Sequence, residues 1–268
     1  MTLRYTTDGS DPDEDSPVFT GMWYPGETLI LSVRAFADGW VPSATVDRTY
    51  FIAEPSADLE RVSIITDPDH LWDWETGIYV MGPNAAEDYP HFGANFWYPW
   101  SKESRLEWFD EAGDPVAYSR FDLEIHGGWS RAEPQRSFRC DFKPKWTGAL
   151  DHAVFPSKPD ITSFGNINLR NGGQASWENK IQDAFYGELA LETNCVASGW
   201  RPVEVFLNGE YWGLYGAREK ADENFVEDNF GWDDSSVDLL NPFNPLNGSP
   251  AAWAVSYTHL TLPTKLAV

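Results

Sequence analysis

The sequence is poor in cysteine, in basic residues and in long apolar runs. Only Cys140 and Cys195 occur among 268 residues. Two thiols are too few for a disulfide scaffold and do not make a metal site. Their spacing does not decide whether they pair. No apolar run is long enough for a membrane-spanning helix. No signal peptide opens the chain, because Met1 leads directly into a strand-like segment. Lys and Arg number 19 against 42 Asp and Glu, a formal net charge of −23. Such a surface repels nucleic acid and anionic membrane, so neither is expected as a partner. It reads as a well-solvated surface, or as one that attracts basic substrates or cations.

What the chain has in quantity is aromatic and turn-forming residues. The 14 Trp, 21 Gly and 19 Pro describe a β-rich, loop-rich globular protein, and 42% hydrophobic residues suffice for a sizeable core. Three strands are expected in residues 1–52: Leu3 to Thr7, Leu29 to Phe36 and Thr45 to Ile52. Asp8-Gly9 and Asp38-Gly39 supply turns between them. Three strands are too few for a complete sandwich and would leave edges unpaired.

Residues 53–59 read as a polar linker. Beyond it, Arg61 to Thr66, Gly77 to Met81 and Arg105 to Phe109 read as strands. Phe121 to His126 places Phe121, Leu123 and Ile125 on one face of a half-buried strand. Gly127-Gly128 follows, and a glycine pair between strands lets backbone approach a ligand closely. Ser130 and Arg131 add donors suited to an anion. In the next strand, period two aligns Arg136 with Phe138, Cys140 and Phe142. A charge aimed at an apolar face needs a partner. It is either half of a structural ion pair under the sheet or a phosphate-holding base in a cleft. A helix over Trp177 to Thr193 offers Glu188, which lies in the middle of an apolar stripe at helical spacing. An Arg136–Glu188 pair would parallel the lysine–glutamate pair of kinases. Asn166 to Arg170 precedes an Asn171-Gly172-Gly173 turn. Val203 to Tyr215 is a hairpin with a type I′ turn at Asn208-Gly209. A helix follows from about Asp222 to Asn229. This order of elements predicts an α+β fold: a kinase-like N-terminal lobe with a mainly antiparallel sheet, preceded by a partial β-sandwich.

Two resemblances stand on quoted residues. YTTDGSDP, SPVFTG, VRAFADGWVPS and a closing TY, in that order over Leu3 to Ile52, are similar to the chitobiase/β-hexosaminidase C-terminal domain. That likeness implies an appended structural or adhesive module of a secreted bacterial enzyme. GIYV, ANFWYPW, IHGGWSRAEPQRSFR, INLRNGG and VFLNGEYWGLYGAREK, over roughly Leu59 to Leu240, resemble the CotH (spore coat protein H) kinase family. That resemblance implies an atypical protein kinase at a spore or cell surface, or secreted. It implies ATP with Mg²⁺ or Mn²⁺ as cofactors and Ser-containing proteins as substrates. With it, the residues read above, Gly127, Gly128, Ser130, Arg131, Arg136 and Glu188, are expected at the nucleotide. Family members carry Lys where Arg136 stands. The catalytic and metal-binding aspartates are expected in a later region, so no catalytic or metal residue is assigned. Asp233 and Asp234 read as loop residues.

Residues 60–253 are therefore expected to be the N-terminal portion of a CotH-like domain. Residues 254–268 contain VSYTHL, which looks like read-through into a sequencing adapter, and they are set aside from the fold. Two other readings carry a different chemistry. A non-catalytic surface protein would use its Trp and Tyr as stacking platforms for cell-wall polysaccharide. A glycosidase would need a spaced acid pair, and none is visible.

Overall fold

The structure, a computed structural model, describes residues 1–22, 24–55, 58–146, 148–193, 195–241 and 244–261; for residues 174, 234 and 257–261 it describes the backbone alone. Residues 262–268 of the set-aside tail lie outside the described residues. The chain divides into two compact units, Met1–Glu219 and Lys220–Val268.

The first unit opens with β1 (Thr2–Thr6), β2 (Leu29–Phe36) and β3 (Val46–Tyr50), which form an antiparallel sheet in that order. The three strands coincide closely with those read from the sequence. Then come β4 (Glu60–Ile65), the short helix α1 (Pro68–Trp72), β5 (Lys102–Phe109), β6 (Pro115–His126) and β7 (Ser137–Asp141). A small ladder joins β8 (Leu150–Asp151) to β9 (Ser163–Phe164). It is followed by β10 (Asn166–Arg170), the helix α2 (Gln182–Leu191), β11 (Trp200–Leu207) and β12 (Glu210–Glu219). Seven of these strands close into a barrel in the order β10-β12-β11-β4-β5-β6-β7. All its pairings are antiparallel except that of β11 with β4.

This corrects the expected fold class. The chain is mostly β, built around a closed barrel, and is not an α+β kinase-like lobe with a helix packed on an open sheet. The physical reason lies in two places. Pairing of β7 with β10 removes both sheet edges. The helix expected from Trp177 begins only at Gln182, and most of its large apolar side chains stay in solvent, among them Ile181, Phe185, Tyr186 and Leu189 at its surface.

Alternation along each strand fills the barrel. Val62 and Ile64, Leu106 and Trp108, Phe121, Leu123 and Ile125, Phe138 and Cys140, Ile167 and Leu169, Val203, Val205 and Leu207 all enter one core cluster. Cys140 is buried there as a free thiol and Cys195 is exposed and free. Burial pushes the Cys140 thiol well up. The β11–β12 hairpin turns at Asn208 (φ 50°) and Gly209 (φ 85°), the two left-handed residues of a type I′ turn. Its tip is clamped: the Thr66 amide donates to Asn208 Oδ1 at 2.9 Å, and Asn208 Nδ2 donates to the Thr66 carbonyl at 2.8 Å.

The three-stranded sheet packs on the outside of the barrel through polar groups. Arg105 on β5 reaches Asp47 Oδ2 at 3.2 Å, pairs with Asp11 and donates to the Gly9 carbonyl at 2.7 Å. Glu107 accepts from the Thr49 amide at 2.6 Å and pairs with Arg48 at 3.1 Å. Phe51 adds an apolar contact, its ring 4.9 Å from Phe109 and 4.7 Å from Phe206.

The second unit holds α3 (Glu223–Phe230), a two-stranded ladder of β13 (Leu239–Asn241) with β14 (Asn244–Asn247), and α4 (Ala251–Thr261). Asp222 caps α3 by accepting from the Phe225 amide, and Gly231 at φ 66° ends it. Among the described residues no helix is long and apolar enough to cross a membrane.

Two outcomes follow for stability. Arg105→Ala removes the ion-pair partner of the buried Asp47 carboxylate and leaves it only the hydroxyls of Ser32 and Tyr118, so it should cost about 3 kcal/mol, read from a urea unfolding curve. A loss below about 1 kcal/mol would mean that the sheet-to-barrel contact does not depend on this pair. On the barrel wall, burial alone would raise the Asp122 carboxyl. Hydrogen bonds from Lys143, Lys145 and Trp146 outweigh burial and hold it below the ordinary range. An acid with a depressed folded pKa gives stability that is present above its unfolded value and lost as pH falls through the folded one. Unfolding midpoints should therefore drop on acidification below about pH 4. Asp122→Asn should start lower and drop less; parallel curves for the two proteins would show that Asp122 takes no part.

Candidate functional site

The barrel brings two glycine turns to one end. The first, Gly127-Gly128, leaves β6; the second, Asn171-Gly172-Gly173, leaves β10. Both strands run antiparallel to β7, which lies between them, so both turns emerge at the same end. They face each other across a cleft of about 630 Å³. One wall holds Tyr89, Gly127, Gly128, Trp129, Ser130 and Glu133. The other holds Arg170, Gly172, Gly173, Ser176, Trp177 and Asp183.

Each turn is held by buried polar contacts. Asn171 is fully buried. Its Oδ1 accepts from Ser137 Oγ and from the Gly173 amide, both at 2.9 Å, and its Nδ2 donates to the Gln135 carbonyl at 2.7 Å. Gly172 and Gly173 sit at φ 100° and 59°. A Cβ on Gly173 would fall 2.7 Å from an Arg170 terminal nitrogen, so only glycine lets that arginine lie along the turn. On the facing turn, Gly127 is at φ 113° and a Cβ there would meet Ser130 Oγ at 2.6 Å. At Gly128 a Cβ would meet nothing within 4 Å. The Ser130 hydroxyl has no hydrogen-bond partner among the described residues.

The two arginines of the expected site lie behind the first turn. Arg131 Nε donates to the Gly127 carbonyl at 2.6 Å, and a terminal nitrogen donates to the Phe96 carbonyl at 3.2 Å. Arg136 Nε donates to the Arg131 carbonyl at 2.7 Å. The Arg136 guanidinium lies over the Tyr79 ring at 4.4 Å and the Phe96 ring at 4.2 Å. Its residue is 8% exposed and makes no ion pair among the described residues. Burial lowers its pKa from the ordinary value. The Tyr79 hydroxyl donates to the Pro134 carbonyl at 2.9 Å and accepts from the Arg136 amide at 3.0 Å and from Trp212 Nε1 at 3.1 Å.

Glu188 is elsewhere. It lies on the exposed side of α2, beside a second hollow of about 620 Å³ that is also lined by Ile181, Phe185, Trp200 and Pro202. The structure thus gathers Gly127, Gly128 and Ser130 in one cleft, sets Arg131 and Arg136 as its support, and leaves Glu188 out. The expected Arg136–Glu188 ion pair is not formed, because the helix that carries Glu188 turns that residue to solvent. Among the described residues no group of three or more His, Cys, Asp or Glu is placed to hold a metal ion. The described residues therefore offer no three-ligand set for a divalent cation.

The family model described as CotH kinase protein matches residues 123–261, more than half of the chain. The chain belongs to the CotH family. A comparison with curated proteins gives no match. In this CotH chain the match opens within β6, four residues before Gly127, and includes both glycine turns and α2. Arg170, Gly172, Gly173 and Asp183 of the cleft were not among the residues expected from sequence. The INLRNGG segment was a usable signal, since it carries a second glycine pair directly after a basic strand residue.

The two glycines of the first turn should respond differently to alanine. Gly127→Ala forces a side chain onto a left-handed backbone and against Ser130, and should cost about 2 kcal/mol in a denaturant titration. Gly128→Ala enters open space and should stay within about 0.5 kcal/mol of the parent. Equal losses would mean that the turn is not built as described.

Proposed function

We propose that this CotH chain holds the phosphates of ATP in the cleft between its two glycine turns, as part of a protein kinase that modifies serine in secreted or cell-surface proteins. Family membership supports the reaction class. The observation that carries the reading is the cleft itself: open backbone at Gly128, a hydroxyl without a partner at Ser130 and the guanidinium of Arg170 on the facing wall. Small residues admit a polyphosphate close to the backbone, and hydrogen-bond donors compensate its charge. The Arg131–Arg136 brace keeps the turn in shape before ligand arrives, which is how a loop binds without a large ordering cost.

Transfer of the phosphoryl group also needs Mg²⁺ or Mn²⁺ on carboxylates and an oriented hydroxyl. Among the described residues no group of three or more acids, thiols or imidazoles is gathered for that metal. The 268 residues are proposed to bind ATP without transferring phosphate.

Calorimetric titration of ATP into the chain should show saturable binding. Gly128→Asp places a carboxylate in the cleft's open space and should weaken that binding at least about tenfold by repulsion, with little change in unfolding midpoint. With γ-labelled ATP and a Ser-containing acceptor protein, the chain alone should transfer no label. Absence of ATP binding by the folded chain would refute the cleft reading, and label transfer by it would show that catalytic residues had been misplaced.

A further inference from the structure

Asp183 has a role that a phosphate cleft does not by itself explain. Its Oδ2 pairs with a terminal nitrogen of Arg170 at 2.8 Å and with one of Arg218 at 3.0 Å. One carboxylate oxygen serves two guanidinium groups, and one positive charge is left over. Neither arginine has another ion-pair partner among the described residues. Arg170 Nε is buried without a hydrogen-bond partner. Burial lowers the Arg218 pKa, the charge of Arg170 lowers it further, and Asp183 opposes both. Two like charges drawn together and partly desolvated are unfavourable unless enough negative charge meets them.

The supports of these groups differ in firmness. Arg170 and Arg218 stand on the paired barrel strands β10 and β12, whose register sets Asn168 opposite Arg218 and Arg170 opposite Gly216. Asp183 sits in the first turn of α2, whose N-cap residue Ile181 makes no side-chain capping bond. The cationic pair stands on hydrogen-bonded barrel strands, and the acid on a helix whose first residue has no side-chain cap. A carboxylate also fills the position incompletely. A phosphoryl group carries more charge and offers three oxygens, which suits two guanidinium forks.

We propose that Arg170, on the cleft wall, and Arg218, which joins it through the shared Asp183 carboxylate rather than by lining the cleft, form a phosphoryl-binding subsite at the cleft's edge, and that the Asp183 carboxylate acts there as an internal anion which a phosphate-bearing ligand displaces. The contact is then autoinhibitory: it lowers the affinity of the cleft for phosphate and keeps the arginine pair half neutralised until ligand competes for it. This rests on the cleft reading above for its location. It does not rest on the ligand being a nucleotide, since a free polyphosphate offers the same oxygens.

The test is a set of calorimetric titrations of the 268-residue chain with ATP, inorganic tripolyphosphate and adenosine. They are run on the parent and on Asp183→Asn, Arg170→Gln and Arg218→Gln, with fold checked by circular dichroism and unfolding midpoint. Asp183→Asn should tighten ATP and tripolyphosphate about tenfold and leave adenosine unchanged, because it removes a competing anion. Each Arg→Gln should weaken both phosphate ligands about tenfold or more, the value of a hydrogen bond to a charged group. If a Gln variant does not fold, Arg218→Lys keeps the charge, loses the fork and should still weaken tripolyphosphate. If Asp183→Asn changes stability but not phosphate affinity, Asp183 is only a tie between helix and sheet and the proposal falls. ATP binding that is insensitive to all the variants would overturn the subsite and spare the nucleotide reading. Tripolyphosphate binding without ATP binding would do the reverse, and binding of neither would end both.

Discussion

Everything at the functional end of this molecule depends on the pairing of β7 with β10. Phe138 opposite Leu169 and Cys140 opposite Ile167 close the sheet into a ring. That closure puts β6 and β10 on either side of one strand. The turns that leave them therefore open on the same rim, although they are far apart in sequence. Without it β6 and β10 would not be held on either side of one strand. The ring also explains the core: inward residues of seven strands meet one another, so no helix is required to cover the sheet.

The first glycine turn then takes its form from behind. A chain of contacts runs from the Tyr79 hydroxyl to Arg136, from Arg136 to the Arg131 carbonyl, and from Arg131 to the Gly127 carbonyl. Two aromatic faces compensate part of the cost of burying the Arg136 charge. Arginine suits this position better than lysine would, since its flat guanidinium can lie between two rings and still donate from Nε. The difference between this sequence and the lysine expected of CotH relatives is thus matched by a specific packing arrangement.

Local pattern made much of this legible. Phe121, Leu123 and Ile125 alternate inward as their spacing requires, Asn208-Gly209 makes the turn its residues favour, and Arg136 does share the buried side with Phe138 and Cys140. What local pattern could not convey is which strand lies beside which. Period two reports a buried face but not a neighbour, so barrel closure and the meeting of two glycine turns stayed hidden. The same limit misled the reading of Glu188. Trp177, Ile181 and Phe185 have the spacing of a buried helical stripe, yet all three are exposed, and the acid among them is exposed as well.

The clamped hairpin tip at Asn208 bears on how the protein can be handled. A hairpin end is ordinarily the place to splice in a fluorescent reporter or an affinity tag. Here Asn208 is bonded both ways to Thr66, and Gly209 has so little room that a Cβ would fall 3.0 Å from Leu29. A graft at that tip would pry β4 and the small sheet apart. The β5–β6 turn at Glu111-Ala112 is exposed and holds no other strand, which makes it the natural port for a label that leaves the glycine cleft untouched.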